Sequence, residues 1–207
     1  DPGSRGRGVR DGLAEGVAEA ATQGQSIIAA QLVTAMRQSD RWLEIARLAT
    51  AYRHDSVCGF DIAGPEIGFP PDRHPEAYEW LRAHNMRYTL HAGGEAEGLG
   101  SIQAAIGRCG GAYRLGHGGA DPGRRAPGGG DGWILGDLAA LVRDTQIPLE
   151  VCPSSNLQTG IAASYAEHPL RRPLRSRLQC DCLLRQPTDE PDHADPRVQR
   201  TGRRVRL

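Results

Sequence analysis

The sequence predicts an α/β fold in which short parallel strands alternate with single helices. Apolar runs of four to seven residues recur along the chain, and between them lie stretches whose apolar residues have helical spacing. Polar residues and glycines fall repeatedly at the carboxyl ends of these strands, where parallel sheets build their sites. The alternation is typical of βαβ units and indicates a parallel sheet.

The elements follow one another in a regular order. An alanine-rich helix over 11–24 precedes a buried strand over 26–34, and a second helix runs from Ser39 to Tyr52. A strand at 57–64 then ends in a glycine turn, and we expect Glu66 and His74 beyond it to be surface loop residues. The remaining predicted elements are helices over 75–85, 100–109 and 136–145 and strands over 87–91, 112–117 and 148–152.

The composition of the chain excludes several classes of protein. The 207 residues can form one domain with a core, but they are too few for a complete large barrel enzyme. The formal net charge is zero, so no global field attracts nucleic acid or an anionic membrane. Five cysteines form no dense disulfide framework, and neither a membrane helix nor a signal peptide is visible. We therefore expect a soluble cytoplasmic protein with neither nucleic acid nor a membrane as its partner.

Two stretches interrupt the alternation. Residues 119–132 lack periodicity, and residues 170–207 are rich in Arg, Pro and Asp without amphipathic order. Both compositions predict disorder.

Three residues carry potential chemistry. His91 and His117 each end a short apolar strand, and Glu95 lies four residues after His91. A histidine at a strand end is by default a hydrogen-bonded structural residue. Two of them with a carboxylate and flanking glycines also suit a metal-activated water with a general acid or base nearby. Both interpretations remain open from the spacing alone.

Four motifs add to the interpretation of these residues as a site for a metal-activated water. They are Phe60–Gly64 (FDIAG), Leu90–Ala96 (LHAGGEA), Arg114–Gly118 (RLGHG) and Cys152–Asn156 (CPSSN). In this order they resemble the adenosine deaminase family, and the likeness covers about residues 12–168. The resemblance implies an incomplete (β/α)8 barrel, about strands three to seven, with a disordered C-terminal tail. It also implies one divalent metal, usually zinc, and hydrolysis of adenosine to inosine and ammonia.

The resemblance assigns roles to four residues. His91 resembles the metal-binding histidine of the fifth strand, and Glu95 resembles the glutamate that protonates the purine ring. His117 resembles the histidine that orients and stabilises the attacking hydroxide, and Gly64 resembles the backbone contact to the purine. A metal-lowered water pKa and a proton for the ring nitrogen are what attack at an aromatic carbon requires.

The chain also departs from the family pattern. An extra glycine separates His91 from Glu95, no His-x-His is present, and no Asp-Asp or Asp-Asn pair occurs. One of the four protein ligands of the family remains, which should not hold zinc tightly. The resemblance therefore implies a deaminase whose activity is impaired or lost in this chain. The alternatives are a dead remnant, a deaminase of adenine or aminofutalosine, and a binding module.

The irregular stretches suggest a cause for these departures. Read one base later, degenerate codons for 119–126 permit a family-like Val-Arg-Ile-x-Asp-Asp-Val, and those from Leu183 onward permit Ser-Asp-Asn-Arg-Leu-Met-Ser. Our hypothesis is that both segments are out-of-frame translations, the first restored by Trp133. The predicted organisation is a partial barrel over 1–169 and an out-of-frame tail over 170–207. Without its first and last strands a barrel keeps exposed edges, so the chain should be marginally stable and prone to associate.

Overall fold

The structure is a computed structural model that describes residues 2–95, 99–118, 136–168 and four short pieces at 124–125, 133–134, 178 and 180–182. The chain divides into two compact units. The first comprises Asp1–Ala63 and His74–Tyr88, and the second comprises Gly64–Arg73 and Thr89–Leu207.

The first unit is a parallel strand pair with three helices. Its elements are α1 (Pro2–Thr22), β1 (Gln31–Met36), α2 (Trp42–Ala51), β2 (Val57–Ala63) and α3 (Pro75–Ala83). β1 and β2 are parallel, with Leu32 opposite Gly59 and Met36 opposite Ala63. Parallel pairing requires a crossover between the strands, and α2 supplies it.

The core of this unit forms around Trp42. This residue, Ala46 and Ala49 lie one helical turn apart on α2 and are fully buried, as their spacing predicts. The Trp42 indole N–H donates to the Met36 carbonyl over 2.9 Å, which ties the start of α2 to the end of β1. The Trp42 ring meets Tyr78 of α3 edge to face, with centroids 6.2 Å apart.

The second unit contains a four-stranded parallel sheet. Its order is β3-β4-β7-β8, and all three neighbouring pairs are parallel. A separate antiparallel pair joins β5 to β6. The elements are β3 (Thr89–Ala92), α4 (Leu99–Gly107), β4 (Arg114–His117), β5 (Arg124–Arg125), β6 (Trp133–Ile134), α5 (Asp137–Thr145), β7 (Leu149–Val151), α6 (Pro153–Gln158) and β8 (Cys180–Cys182).

The structure confirms the alternation of parallel strands and helices, with two differences at the N-terminal end. α1 begins at Pro2 instead of residue 11. β1 begins at Gln31 instead of residue 26, because its partner β2 begins only at Val57 and pairs with Gln31. Ile28, which lies before this register, is 98% exposed.

Short strands also occur in the two stretches for which sequence predicted disorder. Arg124–Arg125 form β5 within 119–132, and Cys180–Cys182 form β8 within 170–207. β8 pairs with β7 at one edge of the four-stranded sheet, with Leu149 opposite Cys180. Backbone pairing at a sheet edge needs no amphipathic pattern, so these short strands leave no periodic signal in the sequence. Most of both stretches lies outside the described residues.

Apolar side chains are exposed on and near β1. Leu32 is 47% exposed, and Met36 is 46% exposed. Among the described residues β1 has β2 as its strand partner, so β1 is an edge strand of this two-stranded sheet. In the part of the chain that is described, no helix combines the length and apolar character needed to cross a membrane.

We predict that the β1 edge drives self-association. The double variant Leu32→Lys, Met36→Lys should lower the associated fraction in sedimentation velocity runs over a concentration series, because charge on an edge strand opposes edge-to-edge pairing. Leu99→Lys is the matched control, since Leu99 is equally exposed at 47% but lies on α4. Equal association of the double variant and the parent chain would contradict the prediction.

Candidate active site

Strand register in the second unit brings His91 and His117 together. His91 on β3 lies opposite Gly116 of β4, and Ala92 lies opposite His117. The two imidazole rings meet edge to face, with centroids 5.5 Å apart and an angle of 70° between their planes. His91 is half-buried, and His117 is buried with 6% exposure.

Two glycines make this ring contact possible. A Cβ at Gly116 would lie 2.9 Å from Cγ of His91, and a Cβ at Gly94 would lie 2.7 Å from Cδ2 of His117. Both distances are shorter than a carbon–carbon contact allows. Glycine is therefore required beside each ring as the rings now lie.

His117 itself has an uncommon backbone conformation. Its φ is 68°, in the left-handed region that non-glycine residues rarely adopt. The conformation ends β4, and the next residue, Gly118, donates its N–H to the Ala92 carbonyl of β3 over 2.9 Å. The neighbouring strand thus holds the turn that sets the direction of the His117 ring.

Glu95 and Glu66 bind each other's backbone. The Glu95 carboxylate accepts hydrogen bonds from the backbone N–H groups of Glu66 and Ile67, each over 3.1 Å. The Glu66 carboxylate accepts from the N–H of Gly93 over 2.9 Å and from that of Gly94 over 2.6 Å. The four bonds join the loop after Gly64 to the loop after β3.

This arrangement corrects the expectation for Glu66. It is not a surface loop residue but a half-buried one whose carboxylate orders the loop carrying Glu95. The extra glycine contributes, because Gly93 has φ 77° and both Gly93 and Gly94 donate to Glu66. Sequence reasoning missed the contact because a carboxylate bound to backbone N–H groups leaves no periodic signal.

A buried amide connects His117 to a second histidine. Nδ2 of Asn156 lies 3.3 Å from Nδ1 of His117, and Oδ1 of Asn156 lies 3.2 Å from Nε2 of His168. Asn156 is 1% exposed, and His168 is 7% exposed. Burial lowers the pKa of His168 from its ordinary value, because the apolar surroundings disfavour the charged ring. Asn156 closes one of the quoted motifs, but no sequence signal linked it to His117.

The four residues predicted for the site therefore differ in how the structure places them. His91 and His117 are in ring contact. Glu95 is connected to His117 through Gly94, which contacts that ring, and through Glu66. Gly64 is exposed at the start of the Glu66 loop with φ 110°, a conformation that suits glycine.

The described residues do not form a complete metal site. Within them, no three His, Cys, Asp or Glu side chains are grouped so that they could hold a metal ion. Zinc in proteins takes at least three protein ligands. His91 with the neighbouring His117 falls short of that number, so the residues that the structure describes do not fit the metal centre implied by the resemblance.

Comparison with known proteins identifies the family. The family model described as adenosine deaminase matches residues 5–198. The chain belongs to the adenosine deaminase family. It is 53% identical over 174 residues to the adenosine deaminase of Mycobacterium sp. strain KMS, covering 83% of this chain and 47% of that protein. The adenosine deaminase of Mycobacterium tuberculosis strain H37Rv is 51% identical over 171 residues, with 83% and 46% covered. The chain thus spans about half the length of these relatives.

Solved structures support the same fold. The adenine deaminase from Arthrobacter aurescens superposes with a TM-score of 0.64 at 22% identity, covering 84% of this chain and 49% of that one. An amidohydrolase from Burkholderia ambifaria, solved with bound Zn, gives 0.63 at 24% identity, with 83% and 45% covered. The predicted family and the incomplete α/β barrel are confirmed, whereas the roles of individual site residues stay predictions.

We predict that Gly94→Ala destabilises the chain. The added methyl would overlap the His117 ring, and overpacking of this kind costs about 1–3 kcal/mol. Gly100→Ala is the control, because a Cβ there meets nothing within 4 Å and alanine is favoured over glycine within a helix. Urea unfolding measures both. A loss of stability for Gly94→Ala no larger than that for Gly100→Ala would show that the ring does not lie against Gly94.

A second prediction concerns pH. Because burial lowers the His168 pKa, the unfolded chain takes up a proton near the ordinary histidine pKa of about 6.5 while the folded chain does not. The free energy of unfolding should therefore fall as pH drops through about 6.5 toward the lowered pKa. In His168→Gln this contribution should disappear, whereas His54→Gln, at an exposed position, should keep it. Identical pH dependence in parent and His168→Gln would contradict the assignment.

Proposed function

We propose that the chain is an adenosine deaminase-type hydrolase with adenosine as its substrate. Its described residues would include the proton donor and the residue that orients the attacking oxygen. In this proposal Glu95 is the proton donor, His117 orients the attacking oxygen, His91 is a metal ligand and Gly64 contacts the purine. The ring contact between His91 and His117 carries the proposal, since it gathers two of these residues at adjacent strand ends. The choice of adenosine rests on the relatives of that name.

The chemistry explains why these residue types belong together. Hydrolytic deamination adds water at the amine-bearing carbon, and a ring nitrogen must accept a proton as the aromatic system is broken. A protonated carboxyl at Glu95 would supply that proton. His117 would offer a hydrogen bond to the oxygen that adds. The amine then leaves as ammonia, and the carbonyl of inosine remains.

We further propose that the chain on its own turns over adenosine poorly or not at all. Hydrolysis in this family depends on a metal, and among the described residues His91 has no set of two further ligands around it. Purine binding does not need the metal ligands, because the purine contacts are carried by Glu95 and the Gly64 loop. The chain should therefore bind a purine nucleoside without hydrolysing adenosine.

The test measures both quantities on the 207-residue chain. Inosine binding by equilibrium dialysis should be detectable, and Glu95→Gln or His117→Ala should weaken it about tenfold, the value of one lost hydrogen bond. His54→Ala, at an exposed position, should leave binding unchanged. Chromatography should detect no zinc-dependent conversion of adenosine to inosine, with a full-length mycobacterial adenosine deaminase as the positive control.

The two measurements can contradict different parts of the proposal. Inosine binding that is absent, or that is indifferent to Glu95→Gln and His117→Ala, would overturn the purine site. Zinc-dependent turnover that is lost in His91→Ala would overturn the proposed impairment and leave the purine site intact.

A further inference from the structure

A buried polar chain runs from the active-site histidine into the interior of the second unit. It consists of His117, Asn156 and His168, whose exposures are 6%, 1% and 7%. Asn156 is held from both sides of its backbone. Its N–H donates to the Cys152 carbonyl, and its carbonyl accepts from Ile161 N–H, each over 2.9 Å. These bonds fix the backbone from which the amide side chain reaches between the two imidazole rings.

The chemistry of an amide makes this bridge directional. Nδ2 of asparagine can only donate hydrogen bonds, and Oδ1 can only accept them. In the orientation that the structure gives the amide, Nδ2 lies 3.3 Å from Nδ1 of His117, and that ring nitrogen is the acceptor. In the same orientation Oδ1 lies 3.2 Å from Nε2 of His168, and that nitrogen is the donor. A neutral His117 ring that accepts at Nδ1 holds its own proton on Nε2.

We propose that Asn156 is a positioning residue that keeps the His117 proton on Nε2, and that the N–H of His168 sets the direction of the Asn156 amide. The tautomer of His117 is then decided by a residue on α6 and by a histidine beyond α6. All three side chains are buried. If the amide were reversed, Nδ1 of His117 would have to become a donor and Nε2 of His168 an acceptor at the same time.

The consequence for the site rests on the proposed function. With the proton on Nε2, the ring offers a donor from the nitrogen that does not face Asn156. A donor suits an attacking oxygen that must be oriented and stabilised, the role assigned to His117. The strand-end turn holds the His117 backbone in a left-handed conformation, and the hydrogen bond to Asn156 adds a restraint on the ring itself.

Histidine nitrogen NMR on the ligand-free chain tests the proposal without any need for activity. In chain labelled with ¹⁵N-histidine at about pH 8, above the ordinary histidine pKa, long-range ¹H–¹⁵N correlations distinguish protonated from unprotonated ring nitrogens. We expect His117 to show an unprotonated Nδ1 and a protonated Nε2, and His168 to show a protonated Nε2. A His117 proton on Nδ1 in the parent chain would overturn the proposal.

Asn156→Asp is the decisive variant. Aspartate keeps the shape of asparagine and can still accept from His168, but it has no donor for His117. The proton of His117 should move to Nδ1 so that it faces the carboxylate. Asn85→Asp is the matched control at an exposed position at the end of α3, and it should leave His117 unchanged. An unprotonated Nδ1 in Asn156→Asp would contradict the assignment.

A second pair of variants tests His168 and does not depend on the folding of Asn156→Asp. His168→Gln retains an N–H donor for Oδ1 of Asn156, so His117 should keep its Nε2 proton. His168→Leu has no donor, so the amide can turn and His117 should populate both tautomers, with nitrogen shifts between the two limits. Identical His117 spectra in the Gln and Leu variants would remove His168 from the proposal. If the parent chain did not bind inosine while the tautomers were as expected, the proposed function would be overturned and the role of Asn156 would stand.

Discussion

The contact between the His91 and His117 rings needs a residue without a side chain opposite His91, because a Cβ there would lie 2.9 Å from Cγ of the His91 ring. The register that pairs His91 with Gly116 satisfies this condition, and the remainder of the site depends on it. A shift of one residue toward Leu115 would place a leucine side chain against the His91 ring. A shift in either direction would break the Gly118 bond to Ala92 that ends β4.

From this strand pair the site is assembled through loops and buried polar groups. The mutual bonds of Glu66 and Glu95 order the loop after β3, and Gly94 in that loop contacts the His117 ring. On its other side His117 meets the Asn156 amide of α6. Glu95 and His117 are thus each held by a residue that had no assigned role, Glu66 for Glu95 and Asn156 for His117.

The sequence predicted most of the fold because strand and helix periodicity reflects burial. The Trp42, Ala46 and Ala49 face of α2 is an example, since one helical spacing produces one buried stripe. β1 and β8 were placed wrongly or missed because their pairing is a backbone property set by β2 and β7. In the site, His91 and His117 were predicted as members of one candidate site because each ends a strand. Glu66 and His168 were not, because a carboxylate or imidazole bound to one distant partner has no local pattern.

The central claim, that register places the His91 ring over Gly116, is tested most directly by a double-mutant cycle in urea unfolding. Gly116→Ala should cost about 1–3 kcal/mol in the parent chain through overlap with the His91 ring. In a His91→Ala background the methyl has room, so most of that loss should vanish and leave a coupling free energy of about 1 kcal/mol or more. The same loss in both backgrounds would contradict the ring placement and the site built upon it.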